Sequence, residues 1–374
     1  MGQRKSSLEG LERQMNDFTF YRGKRVFVTG FTGFKGSWLC RILVKLGAVV
    51  TGYSLPAPTE PNLFSMADLE TRMTCVTGDI RDRGELLRVF SEFRPEIVFH
   101  LAAQPIVREG YRDPAGTYET NVMGTVNLLE CIRVFGESVK SAVIVTTDKV
   151  YENKEWCWGF RETERLCGRD PYSNSKSCAE LVVQSYISSF FADSGVAVST
   201  ARAGNVIGGG DFAEYRIIPD CVRAAQNHTP VMIRNPYSIR PYQHVLEPLF
   251  AYLMIARAQC ERPDLAGAYN VGPDERDCVA TGHLADLFCG AWGDGMTWEK
   301  RGEAEAFHEA NFLRLDCAKL KSVFQWTPRW HIEEAVSRTV EWTKAWLAGE
   351  SVPAVMDEQI NRFIEEGADG QMGQ

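Results

Sequence analysis

Residues 24–46 read KRVFVTGFTGFKGSWLCRILVKL. The first six residues are β-branched, aromatic or basic, the composition of a short buried strand. Three glycines follow at a spacing of three, Gly30, Gly33 and Gly36. Apolar residues then recur at Phe34, Trp38, Leu39, Ile42, Leu43 and Leu46, the stripe of an amphipathic helix. In a strand–glycine turn–helix unit, each glycine has its own task. Gly30 permits the tight turn, Gly33 lets backbone approach a pyrophosphate, and Gly36 lets helix and strand pack closely. The helix N-terminus then faces the phosphates with its free N–H groups and positive dipole end. A dinucleotide is therefore expected along Gly30, Thr32, Gly33, Phe34, Lys35 and Gly36.

The chain continues in the same rhythm. Residues 48–54 read as a second strand. An acidic residue for the adenine ribose is usual about 20 residues after the first glycine; Tyr53, Ser54 and Leu55 stand there instead, with no arginine. That pattern favours NAD over NADP. Residues 73–82 form the expected third strand, ending in Asp79 and Ile80, and residues 84–93 the next helix. Residues 96–105 form the fourth strand, whose end, Leu101-Ala102-Ala103, is small enough either for backbone to approach the cofactor or for simple close packing. A long helix is expected from Tyr118 to Phe135, with Asn121 in a structural role. Strands at 141–147 and from 196 complete the series. Alternating strands and helices predict an α/β fold, a Rossmann-type doubly wound parallel sheet.

The fifth strand, SAVIVTT, ends in Thr147-Asp148-Lys149, where ligands bind in open α/β sheets. Downstream, PYSNSK places Tyr172 and Lys176 four residues apart, on one face of a helix. The lysine charge can lower the phenol's pKa and make it a proton acceptor. A lone Tyr-x-x-x-Lys carries little weight; here it follows a dinucleotide turn and a polar strand end.

After Asp211 the alternation breaks. Residues 231–236 read as a strand carrying Arg234, and Arg240 and His244 follow. This part is expected to form a smaller mixed α/β substrate-binding lobe. The predicted division is an N-terminal extension at 1–20, a dinucleotide-binding domain at 21–203 and 244–272, the lobe at 204–243 and 273–349, and a peripheral charged tail at 350–374. Arg202, Asn205, Arg234, Arg240, His244 and Gln104 are candidates for a phosphorylated substrate, since arginine forks suit phosphate oxygens.

Composition narrows the classes. A net charge of −8 over 374 residues, without a basic stripe, speaks against nucleic acid as the main partner. The eleven cysteines are scattered and include no CxxC pair, which predicts reduced thiols and a cytoplasmic protein. The six histidines show no metal-binding spacing, and no apolar run reaches membrane-helix length.

Several motifs resemble one family together: GFTGFKGSWL, GDIRD, PEIVFHLAAQPIVR, TNVMGTVNLLE, TDKVYENKEW, DPYSNSKSCAELV, RAGNVIGGGD, IRNPYSIRPYQHVLEPL and LDCAKLKSVFQWTPRW. They are similar to the CDP-glucose 4,6-dehydratases of the extended short-chain dehydrogenase/reductase superfamily, from about Tyr21 to about Gly349. The resemblance implies bound NAD, oxidation of glucose C4, loss of water across C5 and C6, and return of hydride to C6. The product would be a CDP-4-keto-6-deoxy sugar for deoxysugar biosynthesis. It implies Tyr172 as the C4 base with Lys176, Thr147 as a hydrogen-bonding partner, Asp148 as the C6 acid and Lys149 as the C5 base. It also implies CDP-glucose binding on the lobe that carries Arg234 and Arg240, no metal, and a homodimer through helices near 115–135 and 172–190. Phe31, Ser177 and Tyr242 depart from the family's usual His, Gly and Trp. A 4-epimerase, or another dehydratase of the same fold, is the nearest alternative. A non-catalytic dinucleotide-binding protein is the more distant one.

Overall fold

The computed structural model describes residues 18–301 and 312–369. The predicted extension therefore lies largely outside the described residues; Phe18–Tyr21, at its end, forms a 3-10 turn whose Phe18 and Tyr21 are buried in the core.

The central sheet contains β1 (Arg25–Thr29), β2 (Val49–Ser54), β3 (Thr74–Thr77), β4 (Ile97–His100), β5 (Ser141–Thr147), β6 (Ala197–Ala203) and β9 (Ala268–Val271). Between the last two lie β7 (Val231–Ile233) and β8 (Ile239–Pro241), which belong to small two-stranded pairs. The order in the large sheet is β9-β6-β5-β4-β1-β2-β3, and every neighbouring pair is parallel. This is the doubly wound order that the sequence predicts. It reverses between β1 and β4, so the two chains leaving those strands diverge and open a crevice at the carboxyl edge.

The inner strands bury both faces, as a sheet covered by helices on each side requires, while the edge strand β3 is largely exposed. Side chains alternate by residue along each strand. Val26 and Val28, Ile97 and Phe99, and Val143 and Val145 enter one core layer; Phe27, Val98, Ala142 and Ile144 enter the other. The first layer is covered by α1 (Phe34–Lys45) and a buried helix, Leu246–Glu261. The second is covered by α2 (Arg83–Phe93) and by the helices Gly124–Phe135 and Pro171–Tyr186. A separate core gathers Ile218, Val231, Phe288, Ile332 and Val336 from the part beyond Asp211.

Three expectations change. The helix expected at Tyr118–Phe135 begins earlier and is not regular. It runs as Pro114–Tyr118, a π-turn over Glu119–Met123, and Gly124–Phe135. Asn121 occupies that π-turn, bonding the Gln104 backbone at both N–H and carbonyl and donating to Ser175 Oγ. The fourth strand stops at His100, and Leu101 to Pro105 pass the cavity as loop. The tail is not peripheral: Val352–Asp369 is a helix that buries Val352, Met356, Ile360 and Phe363 in the main core.

Candidate active site

One cavity of about 1310 Å³ lies along the carboxyl edge of the sheet. Its floor is the first turn of α1. Gly30 has φ +72°, and a Cβ there would meet the Ala102 backbone nitrogen at 2.6 Å. A Cβ on Gly36 would stand 2.1 Å from the Gly30 carbonyl oxygen. Gly33 meets nothing closer than 3.5 Å and borders the cavity. The start of α1 carries no side-chain cap, so its N-terminal dipole faces open space. Thr32, Phe34, Lys35, Asp79, Ile80, Leu101, Ala102 and Ala103 also line this half. At the ribose end, the hydroxyls of Thr32 and Ser54 are 2.9 Å apart. Asp79 holds its carboxylate on Arg81, a bond that keeps its pKa below the usual carboxylate value. The residues thus fit a dinucleotide: a cradle that a Cβ would fill, a capless helix start, and hydroxyls at the end of β2.

The opposite wall comes from β5 and from α5, as we label Pro171–Tyr186 (α3 and α4 being Val107–Arg112 and Gly124–Phe135). Asp170 caps α5 through a bond to the Ser173 N–H, and Pro171 occupies its first turn. That fixes where Tyr172 and Lys176 point. Thr147, Asp148, Lys149, Tyr172 and Lys176 all border the same cavity. The Thr147 hydroxyl donates to Asp148 Oδ1 at 3.0 Å and also hydrogen-bonds the Tyr172 phenol. Asp148 is 1% exposed, and its Oδ2 has no partner among the described residues. Burial raises its pKa, against the field of Lys149 and the Thr147 bond. Lys149 pairs with neither Asp148 nor Glu152 within ion-pair distance; Glu152 pairs instead with Arg165 and Lys154.

The phenol differs from the expectation. Burial pushes Tyr172 up to about 12, and the Thr147 bond opposes it only in part. Lys176 donates to the Val145 carbonyl at 3.2 Å, which turns its amine toward the strand. Burial lowers Lys176 to about 8, while Glu180 pulls it back up. Lys35, buried beside Lys176 and Arg216, is lowered to about 7, first by burial and then by those cations.

Of the substrate candidates, Asn205, Arg234 and Arg240 border the cavity. The other three do not. Arg202 is fully buried in an ion pair with Glu180 at 2.7 Å. His244 is fully buried between Trp38 and Trp330, and burial lowers its pKa to about 3. Gln104 spends its amide on Thr117 and the Ile106 N–H. One cavity residue escaped the sequence reading. Arg216 sits on the wall, held by Asp211 at 3.0 Å, and its charge reaches Tyr172 and Lys35. Its signal was the GGGD turn: Gly210 has φ +85°, and a Cβ on Gly209 would strike the Trp342 ring.

A parallel Rossmann-type sheet with a Thr-Tyr-Lys set at its carboxyl edge defines the class of the extended short-chain dehydrogenases/reductases. Within that class, the family described as GDP-mannose 4,6 dehydratase matches residues 27–339, and the chain belongs to it. The CDP-glucose 4,6-dehydratase of Salmonella typhimurium is 48% identical over 356 residues, covering 94% of this chain and 99% of that protein. Among solved structures, UDP-glucose 4-epimerase of Thermus thermophilus, in complex with NAD, superposes with a TM-score of 0.74 at 26% identity, covering 86% of this chain and 99% of that one. DesIV, a dTDP-glucose 4,6-dehydratase from Streptomyces venezuelae, gives 0.75 at 23% identity, covering 87% and 98%.

Proposed function

We propose that the chain is an NAD-dependent hydro-lyase that converts CDP-D-glucose to CDP-4-keto-6-deoxy-D-glucose. The observation that carries this reading is the pair at the end of β5: a buried carboxyl at Asp148 with one oxygen unpartnered, beside the amine of Lys149, which has no ion-pair partner among the described residues, in one cavity with Tyr172 and Lys176. A 4-epimerase needs no acid and base for C5 and C6. The near relative's similarity, 48% over almost the whole chain, supports the same reaction and the cytidine nucleotide.

NAD, when bound along Gly30 to Gly36, would accept hydride from C4 and deliver it to C6. Tyr172 takes the C4 hydroxyl proton, relayed through its bond to Thr147 and favoured by the nearby charge of Arg216. The product keeps its ketone at C4, so the phenol passes the proton it has taken to solvent through the open cavity, and its high resting pKa keeps the proton on it until then. Once C4 is a ketone, the C5 proton becomes acidic. Lys149 removes that proton, Asp148 protonates the C6 hydroxyl so that it leaves as water, and as hydride reaches C6 the Lys149 ammonium, exchanged with solvent, returns a proton to C5. A carboxyl whose pKa burial has raised is the acid such a step needs. Arg234, Arg240 and Asn205 hold the nucleotide diphosphate on the lobe side. Arg216 adds a cation between the two halves of the cavity.

The homodimer reading has support in the exposed apolar side chains Met123, Leu181 and Phe190, which lie on the two helices that the resemblance names. Eleven free cysteines suit the cytoplasm. The product would feed deoxysugar assembly, such as lipopolysaccharide O-antigen.

The test is proton NMR in heavy water with NAD and, separately, CDP-glucose, dTDP-glucose, UDP-glucose and GDP-mannose. A new C6 methyl signal with deuterium at C5 from CDP-glucose is expected. Inversion at C4 without a methyl would sink the dehydratase reading, and a methyl from another tube would move the substrate.

A further inference from the structure

Behind the cavity lies a polar cluster that the proposed chemistry does not use. Glu180 stands four residues after Lys176 on α5, and both are buried, at 0% and 5% exposure. Glu180 accepts hydrogen bonds from Thr146 Oγ1 at 2.5 Å and Thr200 Oγ1 at 2.9 Å, and pairs with Arg202 at 2.7 Å. Thr146 is the residue immediately before Thr147 on β5; Thr200 and Arg202 belong to β6. The other terminal nitrogen of Arg202 extends the cluster. Its Nη1 donates to the Tyr151 hydroxyl at 2.8 Å and to the Glu162 carbonyl at 3.0 Å. The Tyr151 hydroxyl in turn donates to Asn270 on β9 at 2.6 Å, and its ring stacks on Phe160. Tyr151 and Thr146 both reach the cavity wall.

A fully buried ion pair is a poor device for stability alone. Its desolvation cost offsets most of its attraction, and a well-packed apolar pair of the same volume is often as stable. What this pair does have is reach. One carboxylate joins the strand end that bears Thr147 and Asp148 to the helix that bears Tyr172 and Lys176. Those two elements also meet at the cavity through the Thr147–Tyr172 bond and the Lys176–Val145 carbonyl bond. We propose that Glu180 and Arg202 are positioning residues: they lock the end of β5 to α5 in register for proton transfer, and they face Lys176 with a fixed negative charge. The proposal rests on the dehydratase reading above.

The titratable groups around Lys176 are Tyr172 and Glu180 on its own helix, His100 on β4, Lys35 at the start of α1 and Asp148 at the end of β5. His100 is buried between Thr29 and Thr125, and burial lowers its pKa to about 3, so it stays neutral across the working range. Asp148 and Lys35 border the cavity, which leaves Glu180 as the anion fixed behind Lys176. Removing its charge makes Lys176 lose its proton at lower pH.

Two readouts test this. The first is the pH profile of kcat on CDP-glucose for Glu180→Gln and Thr146→Val. Glu180→Gln keeps a hydrogen-bonding amide but no charge; kcat should fall at least about tenfold, and the alkaline limb should move down by about one pH unit. Thr146→Val keeps the charge and cuts only the link to β5; kcat should fall about tenfold with KM and the limb unchanged. The second is the pH dependence of Lys176 acetylation by brief acetic anhydride labelling, read by mass spectrometry. It should shift the same way in Glu180→Gln, whatever the substrate. Should Glu180→Gln fail to fold, Thr146→Val and Thr200→Val carry the kcat readout. Wild-type kcat with an unmoved limb and unmoved labelling, even with a lower Tm, would make the pair merely structural and overturn the proposal. If the wild type makes no methyl product while the labelling shift holds, the functional reading falls and the positioning of Lys176 stands.

Discussion

Asp148 and Lys149 are neighbours in sequence and are given opposite tasks by their surroundings. The carboxyl is enclosed: one oxygen holds the Thr147 bond and the other lies unpartnered near Gly204. The amine stands partly exposed on the cavity wall, without an ion-pair partner among the described residues. Two variants therefore separate the two steps. In heavy water, Lys149→Gln should lose deuterium incorporation at C5 and with it all methyl product. Asp148→Asn should keep C4 oxidation and C5 exchange yet lower methyl formation by about a hundredfold or more. If Asp148→Asn also abolished C5 exchange, the assignment of acid and base would have to be reversed. These groups were legible in sequence because the motifs are local: a strand end, a helical spacing of four and three glycines. Arg202 and His244 were misread because a polar side chain's destination depends on partners distant in sequence. Arg202 meets Glu180 across the sheet, and His244 is enclosed by Trp38 and Trp330. Arg216 was missed because the GGGD turn announces only its partner Asp211, and the loop between them, not a residue spacing, brings the arginine to the wall.

At the scale of elements, the strand and helix periods made the parallel sheet readable, while their ends and irregular turns were not. Nothing in the residues around Asn121 distinguishes a π-turn from ordinary helix; the irregularity comes from the bonds that Asn121 makes to Gln104 and Ser175. The buried helix Leu246–Glu261 carries a buried carboxyl whose state depends on pH. Glu247, in its first turn, is 1% exposed. Its Oε1 accepts the backbone N–H groups of Arg329 and Trp330, and its Oε2 has no partner among the described residues. Burial raises its pKa to about 7, against those two bonds and the Arg329 charge. The sign follows from linkage. Between the ordinary carboxylate pKa and about 7, the folded chain holds a proton that the unfolded chain has lost, so stability falls as pH rises. The loss is of order 3 kcal/mol across that window. Thermal melts from pH 5 to pH 8 should show the fall in the wild type and a flatter curve in Glu247→Gln. Parallel curves would mean that the carboxyl is not the titrating group.

The whole molecule is closed by its last helix, Val352–Asp369. The charged composition of this segment suggested a tail, yet Val352, Met356, Ile360 and Phe363 recur at helical spacing, and all four are buried. The period was present in the sequence; what was missing was the surface it covers. That surface includes α1, the helix that starts at the glycine turn. Arg41 of α1 makes a two-pronged pair with Asp357, at 2.8 and 2.7 Å, and reaches the Pro353 carbonyl. Trp330 and Arg329 bond the same helix through Glu366 and the Phe363 carbonyl. Burying four apolar side chains contributes at most about 6–12 kcal/mol, comparable with the net stability of a whole domain. Deleting residues 350–374 should therefore leave a chain that aggregates or melts well below the wild type, although the proposed catalytic residues are untouched. Ile360→Ala, a smaller change, should cost about 2–5 kcal/mol and lower Tm without changing the pH profile of kcat. A truncated chain with the wild-type Tm and unchanged dinucleotide affinity would show that α1 holds the cofactor cradle without support from this helix.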